Sequence, residues 1–247
     1  MASDYVGTIE EIWRYPVSSL GGERLDAVEI EAGGVPGDRE WCLVDVETGR
    51  PAAPEMDRRW HPALFLQSRR GTVAPEIGFP DGQWLAIDDD GLKSRLEAHF
   101  GFTVEPRPYA TTQTAGLGAI ATATNRYPPS PMHILTTGSI DHLASLAAKP
   151  DISSRRFRPT VLLRTDQSGD FVEKSWIGQA LQLGATTLQA TDEARRCGFT
   201  LIAQPGLDEE PEILRTIVRH NRRNFGIYCA VSTPGRIAVG DRAFVIR

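Results

Sequence analysis

The sequence predicts a mainly β protein with a few helices, an α+β fold, and three observations carry that prediction. Short runs of alternating apolar and polar residues recur through the first hundred positions, each cut by glycine or proline. Similar runs rich in β-branched and aromatic residues return after position 159. Apolar residues at helical spacing occur in only a few places between them.

Taken in order, Gly7–Val17, Leu25–Ala32, Glu40–Val46 and Trp84–Ile87 read as strands, a spacing that suits a small β-barrel or sandwich. Leu92, Leu96 and Phe100 then fall on one face at four-residue steps, which predicts a helix behind the acidic start Asp88, Asp89 and Asp90. Residues 109–131 are dominated by Thr, Ala, Gly, Pro and Ser without periodicity; they read as a connecting loop or lid between a first domain, 1–108, and a second, 132–247. After this seam MHILTT is a strand, and Ser139 is placed to cap a helix whose buried stripe is Ile140, Leu143 and Leu146. Strands follow at Pro159–Arg164, Ala180–Leu183, Thr187–Ala190, Phe225–Val231 and Ala243–Ile246. Between them Pro211 suits a first helical turn, and Ile213, Leu214, Ile217 and Val218 form an apolar face.

The charge balance narrows the function. With 27 Lys+Arg against 32 Asp+Glu, the net charge of -5 argues against nucleic acid and against broad attraction to an anionic membrane. No apolar run has the length of a membrane span, and the opening MASDYVGTIEE lacks the layout of a secretory signal, so a cytoplasmic protein is expected. Cys42, Cys197 and Cys229 are widely spaced, without a CxxC pair, which predicts neither a disulfide scaffold nor a structural zinc site. Dinucleotide, nucleoside triphosphate, zinc-protease and serine-hydrolase motifs are all missing.

Two features could carry chemistry. In DEARRCGFT, Cys197 directly follows Arg195 and Arg196, and adjacent guanidinium groups favour the thiolate that acts as nucleophile or metal ligand. The bland alternative is a small buried thiol beside two solvent-facing arginines. Cys42 and Cys229, inside alternating strands, read as core filler. The second feature is basic: Arg155, Arg156 and Arg158 in SSRRFRP, with Arg39 in GVPGDREW, form either an anion site or a solvated charged edge.

In chain order these segments resemble one family, the molybdenum-cofactor sulfurase C-terminal (MOSC) domain proteins. GTIEEIWRYPVSSLGGERL and GVPGDREW look like its N-terminal β-barrel domain; RFRPTVLL, FVEKSWIGQALQLG, RRCGFT and NFGIYCAVSTPGRIAVGD look like the MOSC β-barrel domain itself. The layout is similar to that of amidoxime-reducing components and their bacterial relatives. The resemblance implies a molybdenum cofactor, a pterin dithiolene ending in a phosphate, with Cys197 as metal ligand and catalytic residue. It also implies cofactor contacts from Ser19, Arg39, Thr137, Ser139 and Arg158, with Thr160, Arg195 and Arg196 beside them. Three positions depart from the family pattern: Ser18 replaces a lysine, Thr160 an asparagine and Arg195 a small residue.

On this resemblance the expected activity is an oxidoreductase that removes oxygen from small N-hydroxylated or N-oxide substrates. The chain has no flavin or iron–sulfur signature, so electrons are expected from a separate cytochrome, flavodoxin or ferredoxin-type donor. Two alternatives stand beside it. One is a sulfur carrier using a Cys197 persulfide, although no fused pyridoxal-phosphate desulfurase region is present; the other is a non-catalytic carrier of the cofactor.

Overall fold

The computed structural model describes residues 3–110, 121–125, 130–167 and 169–247. The first part of the chain contains β1 (Ser3–Arg14), β2 (Glu23–Leu25), β3 (Ala27–Ile30), β4 (Trp41–Asp45), β5 (Gln67–Arg69), β6 (Glu76–Gly78), β7 (Trp84–Ala86), α1 (Leu92–Phe100) and β8 (Val104–Pro108). The second contains β9 (Met132–Thr136), α2 (Thr137–Ala147), β10 (Val161–Arg164), β11 (Ala180–Leu183), β12 (Thr186–Arg195), α3 (Pro211–Asn221), β13 (Asn224–Thr233), β14 (Gly235–Ala238) and β15 (Arg242–Ile246). Single-turn 3-10 segments lie between several of them.

Seven strands close into a barrel in the order β10-β9-β13-β12-β11-β15-β1, with β1 pairing back onto β10. Only β9 and β10 run parallel; the other pairs within the barrel are antiparallel. Alternation makes the interior: Val6, Ile9, Ile12, Ile134, Leu163, Leu181, Leu188, Ile227 and Val245 all point into one buried cluster. Gly7 is needed where β1 meets β10, since a Cβ there lies 2.2 Å from the Arg164 carbonyl oxygen.

The division at 108 and 132 follows the chain, whereas strand pairing crosses it. β1 supplies a stave of the barrel otherwise built from residues after 132, and β3 pairs with β14. What packs separately in the first part is a second core, where Val17, Leu20, Leu43, Trp60, Leu66, Ile77, Leu92 and Leu96 are buried together. Its strands form the β4–β8 pair and the β5–β6–β7 meander, tied to the 17–21 segment by bridges from Val17 to Trp41 and from Gly21 to Gln67.

α2 and α3 cover the outside of β9, β10 and β13, burying Leu143, Phe157, Leu162, Ile213, Ile217 and Phe225. Pro211 opens α3 as expected. Two helix starts differ from expectation. Thr136, not Ser139, caps α2: its hydroxyl accepts the Ser139 N–H at 3.1 Å, because a residue already inside the first turn supplies an orphan donor instead of receiving one. The acidic run before α1 makes no side-chain cap, and Asp89 instead accepts the N–H of Gly91 in the preceding turn. Among the described residues no helix is long and apolar enough to cross a membrane. The expected lid at 109–131 falls largely outside the described residues.

Candidate functional site

Four chain segments converge at the end of the barrel where β9 and β10 begin. Residues 15–20 leave β1, residues 37–39 form a glycine turn, residues 157–160 lead into β10, and residues 196–199 follow β12. Backbone and side chain lace them together: Arg39 N donates to the Tyr15 carbonyl at 2.8 Å, Tyr15 N to Asp38 Oδ1 at 2.7 Å, and Arg39 Nη2 to the Arg158 carbonyl at 3.0 Å.

Ser19, Arg39 and Arg158 all have left-handed backbones, with φ of 69°, 54° and 52°. Each costs a non-glycine residue roughly 1–3 kcal/mol, a strain that surrounding structure must hold in place. Two other left-handed residues, Ala148 and Arg222, merely end helices, where this conformation is routine. Arg158 likewise ends the 3-10 turn Ser154–Phe157, whereas Ser19 and Arg39 end no helix.

Arg158 is the centre of the cluster. Its guanidinium lies 4.0 Å from the centroid of the Tyr15 ring and 5.2 Å from that of Phe199, and Nη1 donates to the Leu20 carbonyl. Nη2 is fully enclosed and has no hydrogen-bond partner. Burial holds the group down to about 10, opposed by the charges of Tyr15, Asp38 and Cys197. It therefore stays protonated at neutral pH, a buried cation with a donor unfilled. Arg39, half-buried beside it, also faces Tyr15, at 5.0 Å, and pairs with Asp38. Burial raises the Tyr15 phenol, while Arg158 and Arg39 work against that shift, so the ring is a neutral platform for both cations.

Cys197 is partly exposed and unpaired in any disulfide, and its charge bears on Arg158. Cys197 is therefore not the buried thiol of the bland alternative, and of its two arginines only Arg195 faces solvent. Cys42 and Cys229 are the buried ones, and burial pushes the Cys229 thiol up to about 12. Arg196 is buried: Nη1 donates to the Phe157 carbonyl at 2.8 Å and Nη2 to the Tyr228 hydroxyl at 3.2 Å, while Nε has no partner. Its side chain ties the Cys197 segment to the Arg158 segment. Arg195, one residue earlier on an alternating strand, is exposed on the opposite side.

Thr160 is fully buried and structural: its hydroxyl accepts the His133 N–H at 3.1 Å, and its own N–H donates to the His133 carbonyl at 2.8 Å. Ser19 donates to the Ala52 carbonyl at 3.4 Å, which places its hydroxyl at the rim. Thr137 and Ser139 are not brought to this cluster. They lie at the other end of β9, about 13 Å along an extended strand from His133, where Thr137 accepts the Thr165 N–H and Ser139 donates to the buried Glu173 carboxyl. Arg155 and Arg156 likewise turn to carbonyls of Pro205, Thr200 and Asp208.

Sequence reasoning passed over Tyr15, Asp38, His133 and Tyr228. His133 packs 5.6 Å from the Tyr228 ring, and a Cβ on Gly226 lies 2.4 Å from its Nε2, so the glycine makes room for it. Burial, then the charge of Arg196, holds this imidazole well below its ordinary value and therefore neutral. Only the unusual string RYP beside GDRE hinted at Tyr15 and Asp38. Beside the cluster, a cavity of about 230 Å³ opens between the first core and the turn after Cys197, lined by Pro54, Glu55, Arg58, His61, Gly198 and Ile202 among others. Among the described residues no group of His, Cys, Asp and Glu is arranged to hold a metal, so a metal here rests on the thiolate and on what a ligand brings with it.

Comparison with known proteins identifies the family. Residues 121–243 match the MOSC domain and residues 6–72 match the MOSC N-terminal beta barrel domain. Mitochondrial amidoxime-reducing component 1 of Mus musculus is 22% identical over 98% of this chain and 83% of its own length; the Homo sapiens protein is 23% identical with the same coverage. Mitochondrial amidoxime reducing component 2 of Bos taurus is 23% identical over 97% of the chain. The crystal structure of the YuaD protein from Bacillus subtilis superposes with a TM-score of 0.54 at 15% identity, covering 99% of this chain and 97% of that one, a likeness of fold.

Proposed function

The chain belongs to the two-domain MOSC family, and from that premise we propose that it is a molybdenum-cofactor-dependent reductase of N-oxygenated compounds. The observation that carries the reading is the pair of enclosed guanidinium groups, Arg158 and Arg196, each with an unfilled donor, set around a partly exposed Cys197. Among the described residues neither arginine has a carboxylate partner. An anionic ligand supplies what both lack, and a phosphate-bearing pterin is such a ligand.

In this reading Arg158 and Arg39 grip the anionic end of the cofactor, with Ser19 at the rim. Cys197, partly exposed and outside any disulfide, would offer a soft sulfur ligand to the metal. When bound, the molybdenum supplies a two-electron centre able to accept oxygen. The reaction breaks an N–O bond; two electrons and two protons turn N–OH into N–H and water. Neutral His133 and the Arg196 guanidinium hold the floor of the site, and Tyr15 excludes water from beneath Arg158. The amidoxime-reducing relatives support the substrate class.

Purification from cells that make the cofactor, followed by elemental analysis and assay with benzamidoxime and dithionite-reduced methyl viologen, tests the reading. Near-stoichiometric molybdenum and turnover are expected, and Cys197→Ala should lower turnover by at least about a hundredfold. A protein without metal, unaffected by that change, ends it. A persulfide found on Cys197 by mass spectrometry after treatment with a cysteine desulfurase instead favours sulfur transfer.

A further inference from the structure

A reductase without its own flavin, haem or iron–sulfur ligands must be fed by another molecule, and one face beside Cys197 has the chemistry to receive it. This inference rests on the reductase reading. Residues 215–223, RTIVRHNRR, hold four arginines and no carboxylate in a chain whose net charge is -5. Arg215, Arg219 and Arg222 lie exposed along the side and end of α3, while Thr216, Ile217 and Asn221 face inward. Arg215 and Arg219 share one carboxylate, Glu212, at 3.7 and 3.9 Å, and remain 69% and 65% exposed. The helix dipole accounts for cations in the last turn, Arg219 and His220, but not for Arg215 in the middle. Arg222 and Arg195 are exposed, and among the described residues neither has an ion pair.

The charge flanks an apolar centre. Leu201, Pro211, Leu214 and Val218 line a shallow groove whose charged members are Arg215 and Arg219, and Val218 is 50% exposed. Glu212 and the acidic run before Pro211 bound the other end of the groove, so its cations sit to one side of the apolar centre, an asymmetry that orients a partner as it docks. The face is also joined to the reactive thiol. Leu201 ends the turn that starts directly after Cys197. The Arg223 carbonyl accepts the Arg196 N–H at 2.8 Å, and Arg223 Nε donates to the Arg196 carbonyl at 2.5 Å.

We propose that the groove of Leu201, Leu214 and Val218, flanked by the exposed Arg215 and Arg219, is the docking surface for an acidic redox carrier protein. Two electrons reach the site per turnover, from one carrier oxidised by two electrons or from two carriers oxidised by one each; the substrate N–O bond breaks, and two protons from solvent complete the N–H product and water. Duplex nucleic acid and anionic membrane are less suited, because the chain as a whole repels extended polyanions while the groove presents apolar surface to a protein side chain.

The test compares the double variant Arg215→Glu/Arg219→Glu with the wild-type holoprotein, using reduced flavodoxin, a plant-type ferredoxin and a soluble cytochrome as donors and methyl viologen as small-molecule control. The expected result is a fall of about tenfold in kcat/KM for a protein donor at low ionic strength, with wild-type rates falling as salt is raised. Viologen turnover stays within about twofold, and Lys93→Glu on α1 changes neither. Equal rates for wild type and double variant with all three carriers overturn the proposal. If wild type also fails with viologen, the reductase reading is lost, and calorimetric titration with oxidised flavodoxin then decides the surface: binding that disappears in the double variant keeps it, and no binding removes it. Tighter binding of phosphatidylserine vesicles or duplex DNA than of any carrier also overturns it.

Discussion

Both ends of the parallel pair β9–β10 bury ionisable groups, and the difference between them shows what a binding site is. At the Thr136 end, Glu173 Oε2 accepts from the Thr136 and Ser139 hydroxyls while Oε1 has no partner. Burial raises this carboxyl above its ordinary range, which eases its uptake of a proton. At the His133 end the unfilled groups belong to Arg158 and Arg196. A guanidinium held down only to about 10 cannot shed its charge near neutral pH. One end can take up a proton; the other keeps its charge.

The comparison breaks most readily at Arg158. Arg158→Met should lower molybdenum-cofactor retention by about a hundredfold, read by elemental analysis after gel filtration, while the melting stability of the cofactor-free chain changes by less than about 1 kcal/mol. Equal retention would show that the enclosed donor is not a ligand contact. Glu173→Leu should do the reverse, costing about 2 kcal/mol in urea unfolding because two buried hydroxyls lose their acceptor, with metal content unchanged. Glu173→Gln, which keeps the acceptor, should cost less than half as much.

Arg196→Met sharpens the contrast at a smaller scale. Losing the tie to the Phe157 carbonyl and the Tyr228 hydroxyl should lower turnover about tenfold, with a smaller change in metal content, as expected of a residue that positions Cys197. The pH dependence separates the two ends by sign. His133 is depressed in the folded state, so its contribution is complete above the unfolded value of about 6.5 and is lost as pH falls below it. Glu173 is raised, so its contribution is complete below the unfolded carboxyl range and is lost as pH rises through the folded value. Melting curves from pH 7.5 to 5 should therefore steepen their acid loss in Glu173→Gln and flatten it in His133→Asn. The smallest effect is at Thr137: Thr137→Val should leave metal content within about twofold, since its hydroxyl serves only the Thr165 N–H.

Much of this was legible in the chain. The alternation of Ala180–Leu183 and Ala243–Ile246, the four-residue steps of Leu92, Leu96 and Phe100, and Pro211 before an apolar face each specify local structure through a period or a fixed φ. β8 and β14 were missed because Val104–Pro108 and Gly235–Ala238 carry proline or glycine and little alternation; pairing with β4 and β3 makes them strands. At the site, Cys197, Arg39 and Arg158 stand out as residue types. Thr137 and Ser139 were drawn in by their place at a strand-to-helix turn, and that turn lies at the end of β9 away from the Arg158 cluster.

By itself the sequence determined the β-rich class, the helices, and which thiol has cationic neighbours, because periodicity, proline and adjacent charges act over a few residues. Tertiary structure decided that the first strand closes the barrel of the last hundred residues, that Arg39 from one segment braces Arg158 from another, and that Arg195 and Arg196 part company. Those outcomes depend on enclosure and on which donors are left without acceptors, and both are properties of distant segments brought together, which no local pattern encodes.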